Sequence, residues 1–132
     1  MTASLMSSCR LSRWKSPRSA PLIQRNDEAY VQEITRFALT TPLERARIEA
    51  LTLLSGVAWP TASVILHLYH LERYPILDFR ALWSVQADLK HAYDFGFWMA
   101  YVEFCRVQAD EANVDMRTLD RALWQYSKEK QP

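Results

Sequence analysis

The sequence predicts an all-α fold, on three observations. The chain has 132 residues and 49% of them are hydrophobic, which is enough for one core but leaves no room for a second domain of useful size. Only two glycines occur, Gly56 and Gly96, so the Gly-rich turns of a many-stranded sandwich and the loops that cradle nucleotides are missing. From Asn26 onward, apolar residues recur at helical spacing.

Charge is unevenly distributed, although the net charge is only +1. Residues 1–26 carry no acidic side chain and five basic ones, Arg10, Arg13, Lys15, Arg18 and Arg25. Residues 27–132 carry eleven basic and fifteen acidic side chains, a net charge of −4. We therefore predict a flexible basic N-terminal arm over 1–26 and a single helical domain over 27–132. Such an arm would follow phosphates through salt-sensitive attraction; a transit peptide or an unrelated extension are the alternatives.

The first two helices are predicted from apolar spacing and from Pro42. Tyr30, Ile34 and Phe37 would lie on one face of a helix that ends near Thr40-Thr41-Pro42. The second helix would use Thr41 as N-cap and Pro42 as its first residue. Its apolar stripe consists of Leu43, Ile48, Leu51 and Leu54.

The remaining helices follow from similar patterns. A third helix is predicted from about Pro60 to Glu72, burying some of Ala62, Ile65, Leu66 and Tyr69. Another would follow Asp78. An aromatic stripe at Tyr93, Phe97, Tyr101 and Cys105 predicts a core-facing helix. The last helix would begin after the N-cap Asp115 and place Met116, Leu119, Leu123 and Tyr126 on one side. Its basic residues, Arg117, Arg121, Lys128 and Lys130, form a solvated face or a DNA contact.

The segment between the second and third helices is the most informative one. It reads Leu54-Ser55-Gly56-Val57-Ala58-Trp59-Pro60-Thr61-Ala62. Successive backbone N–H groups at a tight turn before a helix form a concave site for a phosphate oxygen. Gly56 can adopt a positive φ without steric cost, and Pro60 fits the first helical turn. An ordinary helical hairpin with a glycine C-cap is the alternative interpretation.

This segment, followed by Asp78 in Tyr74-Pro75-Ile76-Leu77-Asp78, resembles the helix-hairpin-helix DNA glycosylase superfamily. The family hairpin reads roughly Leu-Pro-Gly-Val-Gly-x-x-Thr-Ala. The matching residues are Leu54, Gly56, Val57, Thr61 and Ala62, whereas Ser55, Ala58 and Pro60 differ. The resemblance implies an orthogonal helical bundle containing a helix-hairpin-helix motif, with the hairpin at 54–62.

Further segments resemble longer, uncharacterised bacterial members of this superfamily. They are Trp14-Lys15-Ser16-Pro17-Arg18, Trp59-Pro60-Thr61-Ala62-Ser63, the run from Tyr74 to Trp83, and Leu119-Asp120-Arg121-Ala122-Leu123-Trp124. The resemblance thus spans about residues 14–128. Full glycosylases have additional N-terminal helices, so we expect an N-terminally shortened member with an incomplete base pocket.

The resemblance also implies a site. The DNA-binding residues would be Gly56, Val57, Ala58, Trp59 and Thr61, whose backbone holds a phosphate of duplex DNA. Asp78 would be catalytic, assisting hydrolysis of a base–sugar bond in a monofunctional glycosylase. Bifunctional members carry a lysine where this chain has Pro60, so no lyase activity is expected.

Each of these residues also has a structural interpretation. Asp78 precedes a helix and can act as its N-cap. Trp59 can stack on a base or staple the following helix, and Thr61 can donate to phosphate or cap the turn. Ala58 stands where the family has a second glycine and would be strained at a positive φ.

Other chemistry has less support in the sequence. His67 and His70 lie three residues apart, but no clear third and fourth metal ligands accompany them. Cys9 and Cys105 cannot form a four-thiolate iron–sulfur centre. We therefore predict no metal and no cofactor.

No apolar run reaches the roughly eighteen residues of a membrane helix, and nothing indicates secretion, so we expect a cytoplasmic protein, associated with the nucleoid if it binds DNA. The sequence leaves its oligomeric state open. The leading hypothesis is a DNA-binding helix-hairpin-helix protein with a monofunctional glycosylase as its catalytic form. The alternative is a non-catalytic helical module for binding DNA or protein that retains the glycosylase scaffold.

Overall fold

The computed structural model of the protein describes residues 26–87 and 92–132, and all regular secondary structure in them is helical. The all-α prediction is thereby confirmed. The helices of the described residues are α1 (Glu28–Thr40), α2 (Glu44–Leu51), α3 (Trp59–Tyr69), α4 (Phe79–Ser84), α5 (Phe95–Ala112) and α6 (Met116–Lys130). After Tyr69 the chain divides into two compact units, of which the first holds α1 to α3 and the second α4 to α6. The single domain and the orthogonal bundle stay predictions.

Helix α1 buries a different face from the one that carries Tyr30, Ile34 and Phe37. Tyr30 and Phe37 are 41% and 46% exposed, while the buried residues are Val31, Thr35 and Ala38. Both stripes have helical spacing, so periodicity alone could not choose between them. The stripe of smaller side chains is the buried one in the helix, which packs against α2.

The corner between α1 and α2 also differs from the prediction. Helix α2 begins at Glu44 with Leu43 in the N-cap position, so the predicted start at Pro42 with Thr41 as N-cap is wrong. The Thr41 hydroxyl instead accepts a hydrogen bond from the Leu43 amide at 3.3 Å. This local turn competes with helix formation, because the hydroxyl satisfies an amide outside the helix.

Arg47 joins the two helices at this corner. Its side chain is 8% exposed, and its Nε donates to the Ala38 carbonyl at 2.9 Å while its Nη2 donates to the Thr41 carbonyl. Its Nη1 pairs with Glu44 at 2.5 Å. The guanidinium thus satisfies carbonyls that the C-terminus of α1 leaves without helical partners.

The predicted apolar residues of α2 and α3 form most of the core of the first unit. Ile48, Leu51 and Leu54 are buried, but Leu43 is exposed. Ala62, Ile65 and Leu66 of α3 are buried, as predicted. Helix α3 ends at Tyr69 rather than near Glu72. His70 Nδ1 accepts a hydrogen bond from the Glu72 amide at 2.9 Å, which closes a local turn just beyond the helix.

In the second unit, α6 packs against both α4 and α5. Helix α5 buries Trp98, Tyr101, Val102, Cys105 and Ala109. The predicted aromatic stripe is therefore correct for its last two members, whereas Tyr93 and Phe97 are half-buried. Asp115 caps α6 as predicted, because its carboxylate accepts from the Thr118 amide at 2.7 Å.

Helix α4 ends in a Schellman motif. The amide of Ala87 donates to the Leu82 carbonyl, and the amide of Gln86 donates to the Trp83 carbonyl, both at 3.0 Å. Gln86 has φ 59°, a left-handed conformation that glycine usually supplies at this position.

Candidate nucleic-acid interface

The hairpin turn connects α2 to α3 in the first unit. The C-cap of α2 is Thr52, so Gly56 is not the C-cap of that helix. Gly56 is instead the third residue of a turn closed by a hydrogen bond from the Val57 amide to the Leu54 carbonyl at 3.1 Å. Its φ is 79°, which confirms the predicted need for a glycine. Ala58 does not adopt a positive φ, so the strain considered for that residue does not arise.

The N-terminus of α3 presents backbone amides at the hairpin. The Ala58 carbonyl accepts the first helical hydrogen bond, from the Ala62 amide at 2.9 Å. Among the described residues, none accepts a hydrogen bond from the amides of Gly56, Ala58, Trp59 or Thr61. The first turn of α3 contains no acidic side chain. The positive end of the helix dipole is thus not offset within its own first turn.

A second contact holds the turn from outside. The Ser55 amide donates to Asn26 Oδ1 at 2.7 Å, and Asn26 Nδ2 donates to the Ser55 carbonyl at 3.0 Å. The two residues are 29 positions apart. Sequence reasoning missed this pairing, because the only signal is a side chain that can both donate and accept hydrogen bonds at the end of the predicted arm.

The side chains of the hairpin differ in exposure. Ala58 is exposed, and Gly56 and Trp59 are half-buried. Val57 and Thr61 are buried, and the Val57 amide already serves the turn. Gly56, Ala58 and Trp59 are therefore the hairpin residues that combine at least partial exposure with an amide not bonded to a described residue, while the burial of Thr61 favours its structural interpretation.

Asp78 lies in the second unit, at the start of α4. Its Oδ1 accepts from the Arg80 amide at 2.9 Å, and its carbonyl accepts from the Leu82 amide at 2.9 Å. The N-cap interpretation of Asp78 is therefore confirmed.

Helix α5 anchors the segment that leads to Asp78. Arg73 pairs with Asp110 at 2.6 Å, and Arg106 Nε donates to the Arg73 carbonyl at 2.7 Å. The Arg73 guanidinium lowers the pKa of the Asp110 carboxyl through a hydrogen bond. Tyr101 donates its hydroxyl to the Ile76 carbonyl at 3.5 Å.

Burial, and to a smaller extent the negative charge of Asp78, raises the pKa of two tyrosines, Tyr93 and Tyr101. The pKa of Tyr93 is raised, first by burial and then by the negative charge of Asp78. The pKa of Tyr101 is raised as well, mainly by burial. Burial raises the pKa of the neighbouring Cys105 thiol to about 12, so this thiol stays protonated at neutral pH and is not a nucleophile. Sequence reasoning assigned Tyr93 to the core and did not place it near Asp78.

The other predicted features fall outside this site. His67 lies on α3, whereas His70 lies beyond its end. The described residues contain no group of three or more His, Cys, Asp or Glu side chains arranged to hold a metal ion. None of the described helices combines the length and apolarity needed to span a bilayer. The basic residues of the predicted arm, from Arg10 to Arg25, lie outside the described residues.

Comparison of the chain with protein-family models, with curated proteins and with solved structures finds no match. The resemblance to helix-hairpin-helix glycosylases thus stays a prediction that rests on the residues of the hairpin and on Asp78.

Proposed function

We propose that the hairpin of the first unit binds the phosphate backbone of duplex DNA. The amides of Gly56, Ala58 and Trp59, none of which donates to a described residue, carry this proposal. A turn followed by a helix N-terminus is a recurrent way to hold a phosphate oxygen, since N–H groups and the helix dipole act together. Because such contacts read no base, the binding is nearly independent of sequence and weakens as salt rises.

The geometry of the turn supports this assignment. The left-handed Gly56 lets the turn reverse tightly. The two hydrogen bonds between Asn26 and Ser55 hold the backbone just before the amides of the proposed site. An anion site whose donors are fixed in advance binds with a smaller entropic cost than one that must order on binding.

The test is duplex DNA binding by two isosteric variants. Gly56→Asp and Gly56→Asn impose the same backbone strain, but only the aspartate repels a phosphate. We expect Gly56→Asp to weaken duplex binding by about tenfold or more and Gly56→Asn by only about threefold. Fluorescence anisotropy with a labelled duplex, between about 50 and 200 mM salt, measures both.

Gly96→Asp is the matched control, because it makes the same substitution at the only other glycine. A Cβ at Gly96 meets nothing closer than an ordinary contact, the Asp94 side chain at 3.5 Å. Thermal melting verifies that all three variants are folded. Equal losses for Gly56→Asp and Gly56→Asn, or binding that ignores salt, would contradict the hairpin proposal.

The catalytic form of the proposal is a monofunctional DNA glycosylase that uses Asp78. A carboxylate positioned by a hydrogen bond from a helix amide can orient water, or offset positive charge that develops on the sugar as the base leaves. The target base would first have to leave the stack. A non-catalytic helical interaction module is the alternative.

Asp78→Asn separates these two forms, since asparagine caps a helix as well as aspartate does but carries no charge. With a panel of lesion-containing duplexes and alkali-revealed strand cleavage, we expect base release to fall on the order of a hundredfold or more. Duplex affinity and melting temperature should change little. If the unmodified protein releases no base from any lesion, the interaction module is the better description; if Asp78→Asn works at full rate, Asp78 is only a cap.

A further inference from the structure

A cluster of rings and cations lies on the second unit, where α4 meets α6. It consists of Phe79 and Arg80 on α4 with Trp124 and Lys128 on α6. The Arg80 guanidinium carbon lies 5.4 Å from the centroid of the Phe79 ring and 5.5 Å from that of Trp124. The Lys128 ammonium lies 5.1 Å from the same Trp124 centroid. One indole ring therefore holds two positive charges.

Neither cation is neutralised by a carboxylate of the described residues. The ion pairs there involve Arg36, Arg45, Arg47 and Arg73, and no carboxylate in 26–87 or 92–132 pairs with Arg80 or Lys128. Both cations lie within about 6 Å of the centre of the Trp124 ring, so an anion bound beside this ring is attracted by two positive charges. The cluster thus favours a negatively charged ligand.

The exposed aromatic rings indicate that the ligand also carries a planar group. Phe79 is 59% exposed and Trp124 is 38% exposed, both large values for aromatic side chains. Trp124 has two cations against it, whereas Phe79 has only Arg80, so Phe79 is the ring that offers an open face for stacking. A ligand with phosphates and planar rings satisfies both features.

We propose that this cluster binds single-stranded nucleic acid, with phosphates at Arg80 and Lys128 and an unpaired base stacked on Phe79. Positive charge along the backbone combined with aromatic rings under the bases is the general chemistry of single-strand binding. A duplex keeps its bases inside the stack and offers none to Phe79. The cluster lies in a different unit from the hairpin and contains none of its residues, so this site goes beyond the duplex-binding proposal and is tested separately.

The probe is a fluorescently labelled oligothymidylate, followed by anisotropy as a function of salt. Phe79→Leu keeps an apolar side chain but removes the stacking face, and we expect it to weaken binding by about tenfold. Lys128→Met removes one phosphate contact, so the slope of log affinity against log salt should shrink by about 0.7. Both side chains are exposed, so these variants are expected to fold, which thermal melting verifies.

Lys130→Met is the matched control. It removes the same charge from the same helix, two positions further on, where the side chain faces another direction and does not contact Trp124. We expect oligothymidylate affinity to change less than about twofold in this variant. Equal effects of Lys128→Met and Lys130→Met would show that only net charge matters and would overturn the proposal.

Two further outcomes would overturn it. One is the absence of oligothymidylate binding at low salt. The other is competition by polyglutamate as effective as that by unlabelled oligothymidylate, with Phe79→Leu unchanged, because the cluster would then be a general anion patch. Gly56→Asp should leave oligothymidylate binding intact. A failure of the hairpin proposal and a failure of this one are therefore distinguishable.

Discussion

Aspartate side chains cap the N-terminus of every described helix of the second unit, whereas no described side chain caps the N-terminus of a helix in the first. Asp78, Asp94 and Asp115 accept from the amides of Arg80, Phe97 and Thr118 at 2.7 to 2.9 Å. In the first unit, Asp27 and Leu43 make no side-chain cap, and Ala58 precedes α3 without a polar group. The second unit thus satisfies its own helix N-termini with side chains, while among the described residues of the first unit no side chain does so.

The first unit depends on a different contact for its stability. Arg47 binds carbonyls at the C-terminus of α1, and its side chain is buried. We expect Arg47→Met to lower the free energy of unfolding by about 2 to 4 kcal/mol, because buried carbonyls lose their donor. Urea denaturation measures this loss.

Arg45→Met is the matched control for Arg47→Met. Arg45 pairs with Glu49 at 3.0 Å, but its side chain is 70% exposed. Such a pair contributes little, so we expect a change below about 0.5 kcal/mol. Similar losses of unfolding free energy in both variants would show that the buried contacts of Arg47 stabilise the protein no more than the exposed ion pair of Arg45 does.

Ala58→Asp would give α3 the kind of cap found in the second unit. The new carboxylate can accept from the Thr61 amide, because Pro60 has no N–H to offer. We expect the free energy of unfolding to rise by about 1 kcal/mol and duplex affinity to fall by about tenfold. Urea denaturation and duplex anisotropy give the two values.

Ala58→Ser distinguishes the effect of the helix cap from the effect of the added negative charge. Serine caps a helix nearly as well as aspartate does and adds no negative charge. Because the Thr61 amide is not one of the proposed phosphate donors, the duplex affinity of Ala58→Ser should stay close to that of the unmodified protein. If Ala58→Asp binds duplex DNA normally, the open N-terminus of α3 is not the phosphate site.

Removing existing caps tests the other side of the comparison. We expect Asp115→Ala to lower the free energy of unfolding by about 1 kcal/mol, since the Thr118 amide loses its acceptor. Asp27→Ala should change it by less than about 0.5 kcal/mol, because Asp27 makes no side-chain cap. Comparable losses in the two variants, measured by urea denaturation, would contradict the assignment of caps.

Local signals in the sequence identified much of the fold. The cap at Asp115, the glycine turn at Gly56 and the buried residues of α3 all depend on neighbours within a few positions. The positive φ of Gly56 follows from a turn that only a few residue types can adopt. These features could be predicted because their energies are decided by the local chain.

The remaining features depend on contacts between distant residues or on competing local bonds. The buried face of α1 could not be chosen because two stripes fit a helix equally well. The Thr41 hydroxyl bonded to the Leu43 amide in place of capping α2. At the candidate site, Asn26 lies 29 residues from its partner, and no spacing rule connects two such positions. Gln86 adopts a left-handed conformation without the glycine that would have signalled it.

The two hydrogen bonds between Asn26 and Ser55 couple the hairpin to the dynamics of α1. Both hydrogen bonds break when the chain before Glu28 moves away, so the Ser55 amide should exchange with solvent hydrogen whenever the first turn of α1 frays. A helix end without a side-chain cap, such as the N-terminus of α1, frays readily. The local stability of the hairpin turn should therefore be low as well. By linkage, a ligand that holds the hairpin in place must also slow fraying at the start of α1.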